Sequence, residues 1–147
     1  MKILKRLLFA TFAVVLVSAC SKIQADNPYM LFEIQGRVLD TDGNPIQGIQ
    51  VSSGQADVVT TNVNGVFAFY GRTVPSSLVV LTFEDKDGEE NGGWFASLSK
   101  DISVNEKTPG SESGNYKGTY FAGGVEVVLL KKNTDKLETP DDELIPL

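Results

Sequence analysis

A cluster of oxygen-bearing side chains is the first group of residues in this chain that could do chemistry. Its members alternate along the stretch EDKDGEENGG: Asp85, Asp87, Glu89 and Asn91. Such a series suits a hard cation, since Ca²⁺ takes 6–8 oxygen ligands. An EF-hand loop is not matched, because Gly88 falls at the fourth position and Ala96 at the twelfth, where a bidentate Glu is required. The series is interpreted either as a calcium site or as a solvated acidic hairpin, and the sequence favours the hairpin.

Catalytic side chains are otherwise scarce. The chain contains no histidine, which removes the commonest general acid or base and the commonest zinc ligand. No serine has a visible activating base, and nothing resembles a phosphate-binding glycine loop that opens a helix. We therefore predict that the protein is not an enzyme and has no certain cofactor, with calcium as the one candidate. A small metal-dependent hydrolase is the alternative from another class.

The charge balance narrows the range of partners. The formal net charge is −6, and the first nineteen residues carry three of the thirteen basic residues and none of the nineteen acidic ones. The rest of the chain is thus strongly acidic and would repel a phosphate backbone. We expect no nucleic-acid partner.

The single cysteine, Cys20, follows an apolar run in LFATFAVVLVSACSK. Three basic residues precede the run, and the small residues Ser18 and Ala19 end it. This is the layout of a secretory signal, and the apolar run is shorter than the roughly 20 residues that span a bilayer. The stretch VSAC resembles the lipobox of bacterial lipoproteins, which implies a diacylglyceryl group on Cys20 and cleavage before it.

Four segments are expected along the chain. Residues 1–19 form a lipoprotein signal peptide, residues 20–28 a lipidated stalk, residues 29–132 one β-sandwich and residues 133–147 a disordered acidic tail. Attachment through more than one acyl chain, palmitate among them, is effectively stable. The expected location is the bacterial cell envelope, with the protein anchored by lipid to the outer membrane and facing the periplasm.

Alternating apolar and polar residues predict β-strands throughout the body of the chain. In MLFEIQGRVLD, alternate residues from Met30 to Ile34 are apolar, which indicates a strand with one buried face. No helical period is sustained, and Asn64-Gly65 predicts a tight hairpin. The prediction is an all-β Greek-key sandwich of about seven strands. Its core is expected to contain Phe32, Ile34, Val38, Ile49, Val51, Phe67, Phe69, Val79, Leu81, Phe83, Val127 and Leu129.

Two stretches resemble the carboxypeptidase regulatory-like domain, a transthyretin-type sandwich. They are GRVLDTDGNPIQGIQV and TNVNGVFAF, in which Gly36, Thr61 and Gly65 are among the matching positions. Asn62 stands where that pattern has Asp, and Ile49 where it has Ala or Val. The resemblance implies the fold and no activity, because this domain is not the catalytic part of the enzymes that carry it.

The whole chain is similar to a small family of lipoproteins encoded beside a radical-SAM enzyme. The likeness is carried by the lipobox, the stretch DKDGEENGGWF and the terminal VEVVLLKK. It implies an envelope protein with that enzyme as a partner. It also leaves open that the chain is a substrate which the enzyme modifies.

Aromatic side chains and one loop are the candidates for partner binding. Trp94, Tyr116 and Tyr120 could offer a platform to a sugar ring or a hydrophobic partner, although aromatic residues on strands more often belong to the core. Residues 107–118, KTPGSESGNYKG, predict a long mobile loop, where binding often resides. The sequence thus favours a membrane-anchored, non-catalytic binding or scaffolding module whose partner is an envelope protein or a glycan.

Overall fold

Two four-stranded β-sheets packed face to face make up the protein in the computed structural model, which describes residues 27–54 and 57–133. The strands are β1 Tyr29–Leu39, β2 Ile49–Ser52, β3 Val58–Thr60, β4 Val66–Thr73, β5 Leu78–Asp85, β6 Leu98–Ser103, β7 Asn105–Pro109 and β8 Tyr116–Val128. No helix occurs in this part of the chain. The predicted all-β sandwich is confirmed, with eight strands in place of about seven.

The first sheet has the strand order β4-β1-β8-β7, and the second has the order β3-β2-β5-β6. β1 is antiparallel to β4 and parallel to β8, and it pairs with both along most of its length. The other neighbouring strands are antiparallel. We call the end of the sandwich at which β1 begins the entry end, and the end at which β1 stops the far end.

The core lies between the sheets and is built from alternate residues of the long strands. In β5, Val79, Leu81 and Phe83 are buried, whereas Val80 between them is 52% exposed. All twelve predicted core residues are buried. The core also contains residues outside the predicted set: Met30, Ile46, Phe95, Ile102 and Val104.

One carboxylate closes the turn after β1. Asp40 Oδ1 accepts hydrogen bonds from the backbone N–H groups of Asp42 at 2.9 Å and Asn44 at 2.8 Å. Its Oδ2 accepts a further bond from the Asn44 side chain at 3.1 Å. The bonds from Asn44 lower the pKa of Asp40 below its ordinary value, because they favour the ionised form. The Asp- and Gly-rich stretch after β1 is therefore a turn held by its own side chains.

The turn at Asn64-Gly65 does not join a hairpin, and that prediction was wrong. It connects β3 of the second sheet to β4 of the first. The reason lies in Thr61, whose buried hydroxyl accepts a hydrogen bond from the Ile49 N–H at 2.9 Å and donates one to the Ile46 carbonyl at 2.7 Å. These bonds hold the chain after β3 against the second sheet, so the turn carries it across to the other sheet.

Half of the predicted long loop at residues 107–118 is strand. β7 reaches Pro109 and β8 begins at Tyr116, so residues 110–115 alone connect them. The Ser111 N–H bonds the Tyr116 carbonyl at 2.9 Å, and the Tyr29 N–H bonds the Asn115 carbonyl at 2.8 Å. Glycine and serine suggested a loop, but cross-strand pairing with β8 overrides that local preference.

Replacing Thr61 by valine should destabilise the protein even though the side chain keeps its shape. The Ile49 N–H and the Ile46 carbonyl would lose their hydroxyl partner inside the core, which costs about 1–3 kcal/mol. Urea denaturation of T61V measures this loss. The neighbouring exposed Thr60 provides a matched control, since T60V should change the free energy of unfolding by less than about 0.5 kcal/mol. Equal effects of the two substitutions would contradict the role of the Thr61 hydroxyl.

Candidate functional site

A cleft opens between the edges of the two sheets, where β6 faces the second half of β8. It has a volume of about 920 Å³. Its walls come from residues 100–103 of β6, 105–107 of β7 and 121–126 of β8. The lining combines the Phe121 ring with charged side chains of both signs: Lys100, Asp101, Glu106, Lys107 and Glu126.

The cleft exists because β8 is only half paired on its outer side. β7 pairs with β8 from Gly118 to Phe121, and β7 begins at Asn105. Within the described chain, no strand pairs with residues 122–128 on the side away from β1. The Lys100 ammonium reaches across from β6 and donates a hydrogen bond to the Glu126 carbonyl at 2.9 Å. A backbone acceptor of β8 is thus satisfied by a side chain where a strand would otherwise lie.

A bulge shapes the open edge. The register between β1 and β8 shifts between Ile34 and Gly36, where β8 passes through Gly123 and Gly124. Gly124 has a φ of +68°, in the left-handed region that favours glycine. A Cβ on Gly36 would collide with the Val125 carbonyl. The bulge therefore depends on glycine in both strands.

Glu33 organises the outer face of the first sheet beside the cleft. Its Oε2 accepts a hydrogen bond from the Lys107 ammonium at 3.1 Å, and its Oε1 accepts bonds from the Gln35 amide at 2.6 Å and the Tyr70 hydroxyl at 3.3 Å. The bond from Lys107 is the main cause that lowers the pKa of Glu33 below its ordinary value. The Lys107 ammonium also lies 5.2 Å from the centre of the Phe121 ring, within cation–π range. These contacts hold Lys107 at the rim of the cleft.

The acidic stretch considered as a calcium site is held by its own hydrogen bonds. Asp85 Oδ1 accepts bonds from the backbone N–H groups of Asp87 at 3.2 Å and Gly88 at 3.1 Å, and Oδ2 accepts one from Phe95 at 2.9 Å. The Asp87 carboxylate accepts a bond from the Asn91 amide. Across residues 27–54 and 57–133, no group of three or more Asp, Glu, His or Cys side chains could hold a metal ion. The carboxylates of Asp85 and Asp87, which would have to bind a cation, accept hydrogen bonds from this segment of the chain instead.

Asp85 connects this loop to the core through the hydrogen bonds that its carboxylate accepts. Burial raises the pKa of Asp85, and the hydrogen bond from Phe95 opposes that shift. The Phe95 ring belongs to the core, and the Phe95 backbone forms a bridge with Lys131 after β8. Glu89, the remaining candidate ligand, is exposed. The four candidate residues therefore belong to a loop that is held by internal hydrogen bonds, and they do not form a shared cation site.

The three aromatic residues predicted to bind a partner do not come together. Trp94 lies at the far end, where the Lys132 ammonium is 4.4 Å from its ring centre. Tyr116 lies at the entry end, with its ring 5.8 Å from that of Tyr29. Tyr120 packs against the core. A groove of about 370 Å³ at the far end is lined by Glu89, Gly92, Gly93, Trp94, Lys131 and Lys132.

The residues that shape the cleft were not predicted from the sequence. Lys100, Lys107 and Glu126 have the pattern of solvent-facing positions, and no local signal shows that edges of two different sheets approach each other. The pair Gly123-Gly124 was the available clue, because glycine inside a strand pattern often marks a bulge or a close backbone approach.

No protein-family model matches this chain, and no curated protein matches it significantly. Among solved structures, it is similar to 3-chlorocatechol 1,2-dioxygenase from Rhodococcus opacus 1CP, with 13% identity, a TM-score of 0.44 and coverage of 76% of this chain and 63% of that chain. It is also similar to hydroxyquinol 1,2-dioxygenase from Pseudomonas putida DLL-E4, with 14% identity, a TM-score of 0.42 and coverage of 74% and 58%. The chain thus spans less than two thirds of the length of either enzyme.

These neighbours contradict three expectations drawn from the sequence. Both are dioxygenases, whereas the sequence indicated a non-catalytic binding or scaffolding module, no enzyme activity, and calcium as the candidate cofactor. The first two expectations relied on the missing histidine and on the lack of an activated nucleophile, and the third on the spacing of oxygen-bearing side chains from Asp85 to Asn91. Neither pattern defines a function by itself. At 13–14% identity and with TM-scores below 0.5, the likeness assigns neither a family nor an activity to this chain.

Several sequence-based expectations concern residues that the structure does not describe. They are the signal peptide, the lipid on Cys20 and the acidic tail from residue 134 onward. Among the described residues, no helix has both the length and the apolar character needed to cross a membrane. The lipid anchor, the envelope location and the partners stay predictions.

The ion pair between Glu33 and Lys107 should make stability depend on pH. Because the folded-state pKa of Glu33 is lowered, its stabilisation is full above the ordinary glutamate pKa and is lost as the pH falls through the lowered value. E33Q should therefore be less stable than the wild type at neutral pH, and the difference should shrink in acid. Chemical denaturation across this range measures the difference.

E106Q is the matched control, since it removes an exposed carboxylate from the adjacent strand β7. At neutral pH it should lower the free energy of unfolding less than E33Q does, because substitutions of exposed residues usually have small effects. A difference in the free energy of unfolding between E33Q and the wild type that stays constant from neutral to acid pH would contradict the assigned role of Glu33.

Proposed function

We propose that the cleft between β6 and β8 binds an extended segment of another polypeptide, and that a lipid on Cys20 holds the chain at the bacterial cell envelope. The lipobox-like VSAC at Cys20 supports the anchor, and the outer membrane facing the periplasm is the proposed location. The open half of β8 carries the proposal for the ligand, since residues 122–128 pair with β1 alone within the described chain.

An added strand would complete the first sheet. β7 lies beside residues 118–121 of β8, and the bound segment would continue that line beside residues 122–128. An extended peptide satisfies a strand edge through its backbone N–H and C=O groups, whatever its side chains are. A peptide N–H would replace the Lys100 ammonium at the Glu126 carbonyl, and the ammonium would return to water. In recognition of this kind, the extended backbone of the ligand supplies most of the affinity, and its side chains supply the specificity.

The walls of the cleft limit the side chains that a bound segment can carry. Alternate residues of an added strand would face Ile102 on the inner side and the Phe121 ring on the outer side. Because lysines and carboxylates both line the cleft, net charge discriminates little between ligands. We therefore expect a segment with apolar residues at alternate positions.

The resemblance to the carboxypeptidase regulatory-like domain is part of the proposal. It is supported by what two of the matching residues do in the fold. Gly36 leaves room for the Val125 carbonyl, and Thr61 bridges the backbones of Ile46 and Ile49. Both positions need the residue type that the pattern contains. The likeness to lipoproteins encoded beside a radical-SAM enzyme, and that enzyme as a partner, stay predictions from the sequence.

Cys20 can be tested as the lipid anchor, because it is the single cysteine of the chain. Cells grown with a labelled fatty acid should incorporate the label into the native protein and not into C20S. The adjacent variant S21A should keep the label, since it leaves the thiol in place. Density-gradient separation of the two membranes tests the proposed location. Native protein without label would refute the anchor.

Strand addition predicts which backbone amides a ligand protects. Binders selected from a phage-displayed library of random linear peptides should slow hydrogen exchange within residues 122–128. The free edge of β4, Val66–Thr73, serves as the internal control and should keep its exchange rates. Protection at β4 without protection at β8, or a library that yields no binder, would contradict the proposed ligand.

Lys100 should compete with such a peptide for the Glu126 carbonyl. K100M removes the competing ammonium, so the selected peptides should bind it several times more tightly than the wild type. K86M removes an exposed positive charge outside the cleft lining and should leave the affinity unchanged. Weaker binding to K100M than to K86M would show that the peptide does not take the place of the lysine.

A further inference from the structure

Exposed apolar side chains lie at the entry end of the sandwich. Val74 is 66% exposed and Leu78 is 50% exposed, in and beside the connection between β4 and β5. This connection lies next to the start of β1, because the Ser76 N–H donates a hydrogen bond to the Met30 sulfur at 3.4 Å. The two side chains are thus at the end of the sandwich where the described chain begins.

Two tyrosines and an arginine lie at the same end. The Tyr29 and Tyr116 rings are 5.8 Å apart, and the Arg72 guanidinium lies 3.7 Å from the centre of the Tyr29 ring. Tyrosine is enriched at membrane–water interfaces, where its ring meets apolar groups and its hydroxyl meets water. Arginine covers apolar surface with its stem while its charge stays hydrated. This composition suits the headgroup layer of a lipid bilayer.

The two ends of the sandwich differ in charge. Residues 74–77 and 110–115, which connect strands beside the start of β1, carry one carboxylate, Glu112. The connections at the far end, residues 40–48, 61–65 and 86–97, carry five carboxylates and one lysine: Asp40, Asp42, Asp87, Glu89, Glu90 and Lys86. An anionic lipid surface would therefore repel the far end more strongly than the entry end.

The chain length between Cys20 and the fold limits which end can reach a membrane. The nine Cα–Cα steps from Cys20 to Tyr29, where β1 begins, span at most about 32 Å. The ten steps along β1, which separate the two ends, are about 33 Å long. With a lipid on Cys20, the entry end stays near the bilayer. The far end could reach the bilayer only with the whole tether extended back along the sandwich, because the tether and the strand are about equally long.

We propose that the entry end docks on the lipid surface, with Val74 and Leu78 at the acyl boundary and the two tyrosines at headgroup level. The inference rests on the lipid anchor proposed above. Two apolar side chains suffice for docking, because a tether of this length makes the contact intramolecular and raises the effective concentration. The cleft between β6 and β8 lies along the side of the sandwich and stays open to water in this orientation.

A matched pair of labels tests the orientation. Val74 and Val63 are equally exposed, at 66%, and lie at opposite ends of the sandwich. A fluorescent non-natural amino acid is placed at either position in the full chain, on vesicles of phosphatidylcholine and phosphatidylglycerol that contain a nitroxide-labelled lipid. Fluorescence at position 74 should be lost through quenching by the lipid. Fluorescence at position 63 should be lost only when a soluble quencher is added.

The same measurement separates this inference from the anchor itself. The mature chain is tested with its native lipid and, in parallel, after coupling of the Cys20 thiol of unlipidated protein to a maleimide phospholipid. Equal lipid quenching at both positions, or none at either, would overturn the docking while leaving the anchor intact. Docking of the coupled chain, combined with an intact mass that shows no native lipid, would support the docking surface and refute the proposed anchor.

Discussion

The double pairing of β1 decides where the rest of the chain can go. β1 is hydrogen-bonded to β4 on one side and to β8 on the other along most of its eleven residues. Because β1 and β8 run parallel, the chain has to return to the entry end before β8 begins. Val104 alone separates β6 from β7, so β7 starts beside the end of β6 and opposite Phe121 in the middle of β8. The second half of β8 is left without an outer neighbour, and the cleft follows from this.

The sequence predicted which residues are buried better than it predicted which strands pair. Strand periodicity assigns a residue to one face whatever its neighbours are, and all twelve predicted core residues are buried for that reason. Pairing depends on contacts between residues distant in sequence. Asn64-Gly65 has the local signature of a hairpin, but the Thr61 hydroxyl ties the preceding segment to β2 and sends the chain to the other sheet. Residues 107–109 likewise became strand because β8 was available to pair with β7, and residues 116–118 are the start of β8.

The candidate site was harder to predict than the fold. Asp85 and Asp87 have the spacing of cation ligands, yet their oxygens accept hydrogen bonds from the loop that they belong to. Trp94, Tyr116 and Tyr120 share an amino-acid class and not a location. Spacing along a strand determines which face of the sheet a side chain lies on. A site needs groups from several strands. The cleft is formed by the edges of two sheets, and no short stretch of sequence contains both edges.

The lysine at the open edge also bears on how two copies of the protein can meet. Unprotected strand edges of separate molecules can pair and join into growing ribbons. The Lys100 charge, the bulge beside Gly124 and the proline that ends β7 each make a flat approach of another edge unfavourable. Direct pairing between the open edges of two copies is consequently less favourable than the entry of a single extended segment into the cleft.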